Sequence, residues 1–102
     1  MNRNEVVKNI SAGDEYKFVG LSQPIILYLF HKWATHKGVV EEILGWNVDE
    51  LGSNFIAGYC AYDRSSDLFS VTGESVSYPE YKPSSEQLNQ LVDTADIRIE
   101  NW

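Results

Sequence analysis

Asn54 to Tyr62 read NFIAGYCAY, and this run restricts the fold more than any other stretch of the chain. With a period of two, Phe55, Ala57, Tyr59 and Ala61 share one face, while Ile56, Gly58, Cys60 and Tyr62 share the other. Both faces are apolar, which suits a strand in the interior of a sheet rather than one with a wet side. Asp63-Arg64-Ser65-Ser66-Asp67 has the length and polarity of a hairpin loop, so Leu68 to Thr72 is expected to return as a second strand. Gly73-Glu74 can turn the chain into a third, Ser75 to Tyr78, which Pro79 would end. A meander follows from these three runs.

The segment Ser22 to Gly38 reads as a helix. Ser22 is an N-cap residue, Pro24 falls in the first turn and Gly38 stands where a left-handed terminating residue is wanted. Ile25, Ile26, Leu29, Phe30, Trp33 and Ala34 then form a broad apolar arc. The competing reading is a buried strand from Ile25 to Phe30, because a short apolar run has no decisive period. On the helix, His31 and His36 project about 140° apart, so they do not form an i, i+4 metal pair. Lys32, His36 and Lys37 would instead complement the negative end of the helix dipole.

Shorter signals complete the chain. Residues 2–10 place Val6, Val7 and Ile10 on one helical face, and Ser11 to Asp14 breaks it. Tyr16 to Val19 is a strand or a tight connection. Val39 to Trp46 reads as a short helix ended by Gly45, with a further turn from Val48 to Leu51. Ser84 and Gln87 have capping-box spacing, and Leu88, Leu91, Val92 and Ala95 form the stripe of the helix they open. Ala95 to Trp102 alternates like a half-buried edge strand. The expected architecture is a single α+β domain spanning residues 1–102. In it, N-terminal helices pack on a three- to four-stranded antiparallel sheet with one C-terminal helix.

The formal charge of −7 is unevenly placed. Residues 1–40 carry five basic and three acidic groups, whereas residues 41–102 carry three basic and twelve acidic ones, so the two parts stand at +2 and −9. Such an acidic chain repels phosphate, which argues against direct nucleic-acid binding. The lone Cys60 excludes an internal disulfide framework, and the longest apolar run, Ile25 to Phe30, is far short of a membrane span. The N-terminal residues lack the apolar core of a secretory signal, so a soluble cytoplasmic protein is expected.

Little here points to catalysis. Cys60 lies within a strand whose two faces are apolar and reads as a small buried hydrophobe rather than an activated thiol. There is no Gly-x-Ser-x-Gly elbow and no glycine-rich phosphate loop, and nothing implies a cofactor or a metal. Asp63 and Asp67 lack the further oxygen ligands of a calcium loop.

What remains is the pairing of acidic with aromatic residues: Trp46 with Asp49 and Glu50, Tyr62 with Asp63 and Asp67, and Glu80 between Tyr78 and Tyr81. Rings that supply affinity and charges that steer encounter are the means of a protein interface, and an acidic one fits a basic protein partner. The plainer alternative is that the rings are core and the charge only keeps the chain in solution. Three functions follow as expectations. The first is an inhibitor of a basic, nuclease-like enzyme, most specifically an immunity protein that occludes a toxin's groove. The second is a phage-encoded inhibitor of a nucleic-acid-processing defence complex. The third is a self-associating assembly subunit that adds strands through Ile97 to Trp102.

Overall fold

A computed structural model describes residues 1–102. Its centre is a five-stranded sheet in the order β4-β3-β1-β2-β5, formed by β1 (Glu15–Ser22), β2 (Ile25–Phe30), β3 (Phe55–Asp63), β4 (Leu68–Gly73) and β5 (Asp96–Ile99). All neighbours run antiparallel except β2 and β5, which are parallel. The sheet is therefore larger than the three or four strands expected, and mixed rather than wholly antiparallel.

The expected strand pattern of NFIAGYCAY holds. Phe55 and Ala57 enter one core with Val19, Leu21, Phe30, Val39 and Val40, while Cys60 and Tyr62 enter the other with Tyr16, Phe18, Leu27 and Leu29. A sheet apolar on both sides must be covered on both sides. Helices α1 (Arg3–Asn9) and α4 (Ser85–Thr94) supply Val6, Leu88 and Val92 to one core. The other face is covered by α2 (His36–Gly38), which continues as a π turn (Val39–Ile43), by α3 (Val48–Leu51) and by a 3-10 turn (Pro79–Tyr81). Helices thus lie on both sides and are spread along the whole chain, not gathered at its N-terminal end. The anticipated capping box forms between Ser84 and Gln87, and a second one, not expected from the sequence, joins Asn2 and Glu5 at α1.

The helix expected from Ser22 to Gly38 is not formed, and the strand alternative is correct for Ile25–Phe30. Its ambiguity has a physical source: β2 is an inner strand with Leu27 and Leu29 buried on one face and Phe30 on the other, so no polar stripe marks a period. Ser22 and Pro24 serve a tight turn instead, with a cis Gln23–Pro24 peptide. Asn54 clamps this turn, accepting from the Ser22 hydroxyl (2.7 Å) and donating to the Gln23 carbonyl (2.8 Å). Gly38 has ordinary helical angles; the left-handed glycine is Gly45 (φ 67°), at the end of the helix it was expected to stop.

The expected third strand of the meander, Ser75 to Tyr78, is also absent. The outer edge of β4 is already occupied by side chains of α4. Asn89 accepts from the Phe69 N–H (3.0 Å) and donates to the Phe69 carbonyl (2.8 Å), and Ser85 Oγ accepts from the Val71 N–H (2.9 Å). Asn89 thus imitates the amide of a neighbouring strand. At the opposite edge, Met1 exchanges backbone hydrogen bonds with Ile97, at 2.7 and 3.4 Å. Both edges are blunted, the usual protection against unwanted strand addition.

Asn89 also accepts from the Arg3 guanidinium (3.3 Å), which places it where α1, β4 and α4 meet. Replacing Asn89 by Ala removes these bonds and exposes the β4 edge. The expected loss is about 2–3 kcal/mol in urea unfolding, at roughly 1 kcal/mol per net hydrogen bond. Asn9→Ala, which removes one exposed contact to Glu5, should lose less than about 0.5 kcal/mol. Equal losses for the two variants would refute the edge-capping role.

Candidate functional site

The acidic and aromatic residues singled out in the sequence fall in three separate places. Tyr62, Asp63 and Asp67 lie on the β3–β4 hairpin and are engaged within it. The Tyr62 hydroxyl donates to the Asp67 carboxylate at 2.5 Å, which holds the phenol above its ordinary pKa. Arg3 donates to the Asp67 carbonyl, brings its Nε to 3.8 Å from the same carboxylate, pairs with Asp93 at 3.1 Å and lies over the Phe69 ring. Asp67 itself is left-handed at φ 55°, a conformation that Asp tolerates better than most residues. Asp63 accepts from Ser65 N (3.0 Å), Ser65 Oγ (2.8 Å) and Ser66 Oγ (3.1 Å), contacts that lower its pKa. These two carboxylates shape a turn.

Trp46, Asp49 and Glu50 lie on the opposite side of the sheet. The Trp46 ring is half-buried and meets Tyr28 and Phe55 edge-on, at 5.9 and 6.2 Å. Asn47 caps α3 by accepting from the Glu50 N–H, and Asp49 and Glu50 stand exposed in its first turn, where negative charge complements the helix dipole. Glu80 belongs to a third region, a cleft of about 530 Å³ between the Pro79–Tyr81 turn and α4.

The most exposed large ring of the molecule is one that sequence reasoning assigned to the core. Trp33 is 78% exposed. The loop that carries it is fastened by its backbone: the N–H groups of Lys32 and Ala34 both donate to the carbonyl of Trp102, at 3.0 and 3.2 Å. Ala34 turns inward, while Lys32 and Trp33 stay at the surface. Leaving a large apolar side chain in water forgoes roughly 2–3 kcal/mol of burial, so its position invites a use. The basic string around it, His31, Lys32 and Lys37, is exposed but does not end a long helix as expected.

Beside Trp33 runs the π turn. Its wider ring, closed by Leu44 N–H to Val39 C=O at 2.8 Å, lets Leu44 pack on the core. With α-helical spacing Leu44 would stand about 140° from Val39. Glu41, Glu42 and Ile43 remain outside, Ile43 at 43% exposure. Trp33, Thr35, Lys37, Glu41, Glu42 and Ile43 line a groove of about 420 Å³. A second groove of about 440 Å³, lined by Glu41, Trp46, Asp49 and Tyr78, shares Glu41 with the first. Burial and the charge of Glu41 raise the Tyr78 pKa. The two grooves therefore form one continuous face on which rings alternate with carboxylates. Trp46 and Asp49 belong to it; Tyr62, Asp63, Asp67 and Glu80 do not line it.

The remaining chemical groups are structural. His36, expected among the exposed cations of a helix end, is buried in the first position of α2. Its Nε2 bonds to the Gly58 carbonyl at 2.8 Å, and its ring meets Tyr59 and Phe30 edge-on. Cys60 is buried as expected, and desolvation pushes its thiol up to about 12. No three His, Cys, Asp or Glu side chains converge in a metal-binding arrangement, and no helix is long and apolar enough to cross a membrane. The chain matches no protein-family model, and no match was found among curated proteins or solved structures.

Two predictions follow from these buried groups. Burial lowers the His36 pKa from its ordinary value of 6.5, outweighing the hydrogen bond to Gly58. The unfolded chain therefore takes up a proton before the folded one does, and the stability held above pH 6.5 falls as the pH drops below it. Denaturation measured from pH 7 to 5 should show this decline, and His36→Gln should flatten it; an unchanged slope in the variant would exclude His36 as its source. Native Cys60 should resist iodoacetamide at neutral pH and react once urea unfolds the chain, whereas rapid native labelling would contradict its burial.

Proposed function

We propose that this protein binds a basic protein surface and acts by covering it. The most specific form of this reading is an immunity protein that occludes the substrate groove of a nuclease-like toxic enzyme. The observation that carries it is the continuous face from Trp33 through Glu41 and Glu42 to Trp46 and Asp49. There, the exposed Trp33 and Ile43 stand beside the unburied carboxylates Glu41, Glu42 and Asp49, which open the strongly acidic part of the chain. Rings of this kind supply affinity at the centre of an interface, and like-signed carboxylates speed encounter with a cationic partner while excluding anionic ones. On an enzyme that handles nucleic acid, those carboxylates would stand where phosphates normally bind.

The same physics serves a phage-encoded inhibitor of a nucleic-acid-processing defence complex, which differs in target and not in surface. Self-assembly by strand addition through Ile97 to Trp102 has less support. Met1 occupies the outer edge at Ile97, and the Trp102 carbonyl is taken by Lys32 and Ala34.

The test is capture of partners by the tagged protein from its native cells, washed at about 0.1 M and then about 1 M salt, a range over which the screening length falls from roughly 10 to 3 Å. The expected result is one basic protein that is retained at low salt and weakened at high salt. Reversing Glu41 and Glu42 to Lys should then slow its association at least about 10-fold at low salt. The same reversal at the exposed Glu86 of α4 should have little effect. Recovery of the protein alone, or of a partner indifferent to salt and to both reversals, would overturn the reading.

A further inference from the structure

The groove beside Trp33 has a composition that selects one side chain. We propose that it is a receptor for an arginine of the partner, with the guanidinium stacked on the Trp33 indole and hydrogen-bonded to Glu42. This inference rests on the reading of a basic protein partner and locates where that partner is gripped.

Three features converge on arginine. The first is the ring, 78% exposed on a loop that two hydrogen bonds, from Lys32 and Ala34, fasten to Trp102. A tryptophan face attracts cations, and a planar, weakly hydrated guanidinium stacks on it better than an ammonium does. The second is the pair of carboxylates on the facing π turn. Glu41 is within 3.9 Å of Lys37 Nζ, whereas Glu42 has no ion-pair partner and is exposed. The groove already draws one cation of its own chain to Glu41, which leaves Glu42 for an incoming one. A carboxylate accepts two parallel N–H bonds from a guanidinium, a geometry that lysine does not match. The third is Ile43, whose 43% exposure adds an apolar wall for the aliphatic stem of the incoming side chain.

Other occupants fit less well. Phosphate is repelled by Glu41 and Glu42. A wholly apolar helix would leave Glu42 buried without a partner. A second copy of this chain would have to bring Arg64 or Arg98, exposed on other elements, to the groove, and so make a head-to-tail contact rather than a self-complementary pair.

The experiment is a titration of the isotopically labelled protein, followed by amide and indole NMR, with the blocked peptide acetyl-Gly-Arg-Gly-amide. Its lysine and citrulline analogues serve as controls. The arginine peptide should move the Trp33 indole N–H and the amides of residues 41–43 in a saturable way, while citrulline, which keeps the shape and lacks the charge, moves none of them. Lysine should bind at least about 5-fold more weakly, and Trp33→Ala and Glu42→Gln should each weaken arginine about 5-fold. Both substitutions are at exposed positions, so the folded spectrum should persist and each loss can be read directly. The groove is excluded if no resonance moves at about 20 mM peptide, an affinity too weak to matter at an interface. Shifts centred elsewhere, or equal shifts with citrulline, exclude it too. Concentration-dependent shifts without peptide would instead identify a second copy as the occupant and overturn the proposal. The two readings can fail separately. A basic partner that binds the Trp33→Ala variant as tightly as the native chain ends the arginine receptor alone. Arginine-specific shifts at Trp33 with no basic partner in cells end the inhibitor reading alone.

Discussion

Strand β1 is hydrogen-bonded on both sides and buried on both faces, and the rest of the molecule is arranged to make that possible. Phe18 enters one core and Val19 the other, so neither surface of the sheet can be left to water. A chain of 102 residues covers two faces only with short pieces: the longest helix has ten residues, and several covering elements are single turns. Short covering elements leave their ends and loops at the surface. The face that carries Trp33, Glu41 and Glu42 is built from such pieces: the Trp33 loop, α2, the π turn and the start of α3.

Economy of the same kind operates at the sheet edges. Side chains of α4 stand in for a sixth strand beside β4, and Met1 does so beside β5. These caps are polar and local, and they leave the hydrophobic material for the two cores. Arg3 illustrates the consequence for charge. It pairs at the surface with Asp67 and Asp93, so part of the negative charge there is met within the molecule itself. Among the exposed acidic groups without an ion-pair partner are Glu42 of the π turn and Asp49 and Glu50 of α3, along with Glu74, Glu80 and Glu86 elsewhere on the surface.

How legible this was depends on whether a local signal had a competitor. The inner strand β3, the capping box of α4, the glycine that ends the π turn and the burial of Cys60 were readable, because each rests on a pattern with one physical solution. Ser22 to Gly38 had two solutions. Its apolar residues suit either element, and Ser22, Pro24 and Gly38 are as much the vocabulary of turns as of caps; the clamp by Asn54, about thirty residues away, decides it. That error carried Trp33 into the core, and no local signal could have retrieved it, since the loop that exposes it is fastened to a carbonyl at the far end of the chain, Trp102. The asymmetry of charge was plain in the sequence. Which carboxylates are free was not, because Arg3 pairs with Asp67 and Asp93, 64 and 90 residues away.

Within this account the binding face is the surface of the π turn and the Trp33 loop, and the other covered face, made by α1 and α4, is structural. Hydrogen–deuterium exchange of the protein with and without its captured partner tests that division most directly. The account predicts slowed exchange over residues 32–49, where the backbone of the loop, the π turn and the start of α3 would be covered, with α1, α4 and the Asp63–Asp67 hairpin unchanged. Protection confined to α1 and α4, or to the hairpin, would contradict it and place the interface on the opposite side of the sheet.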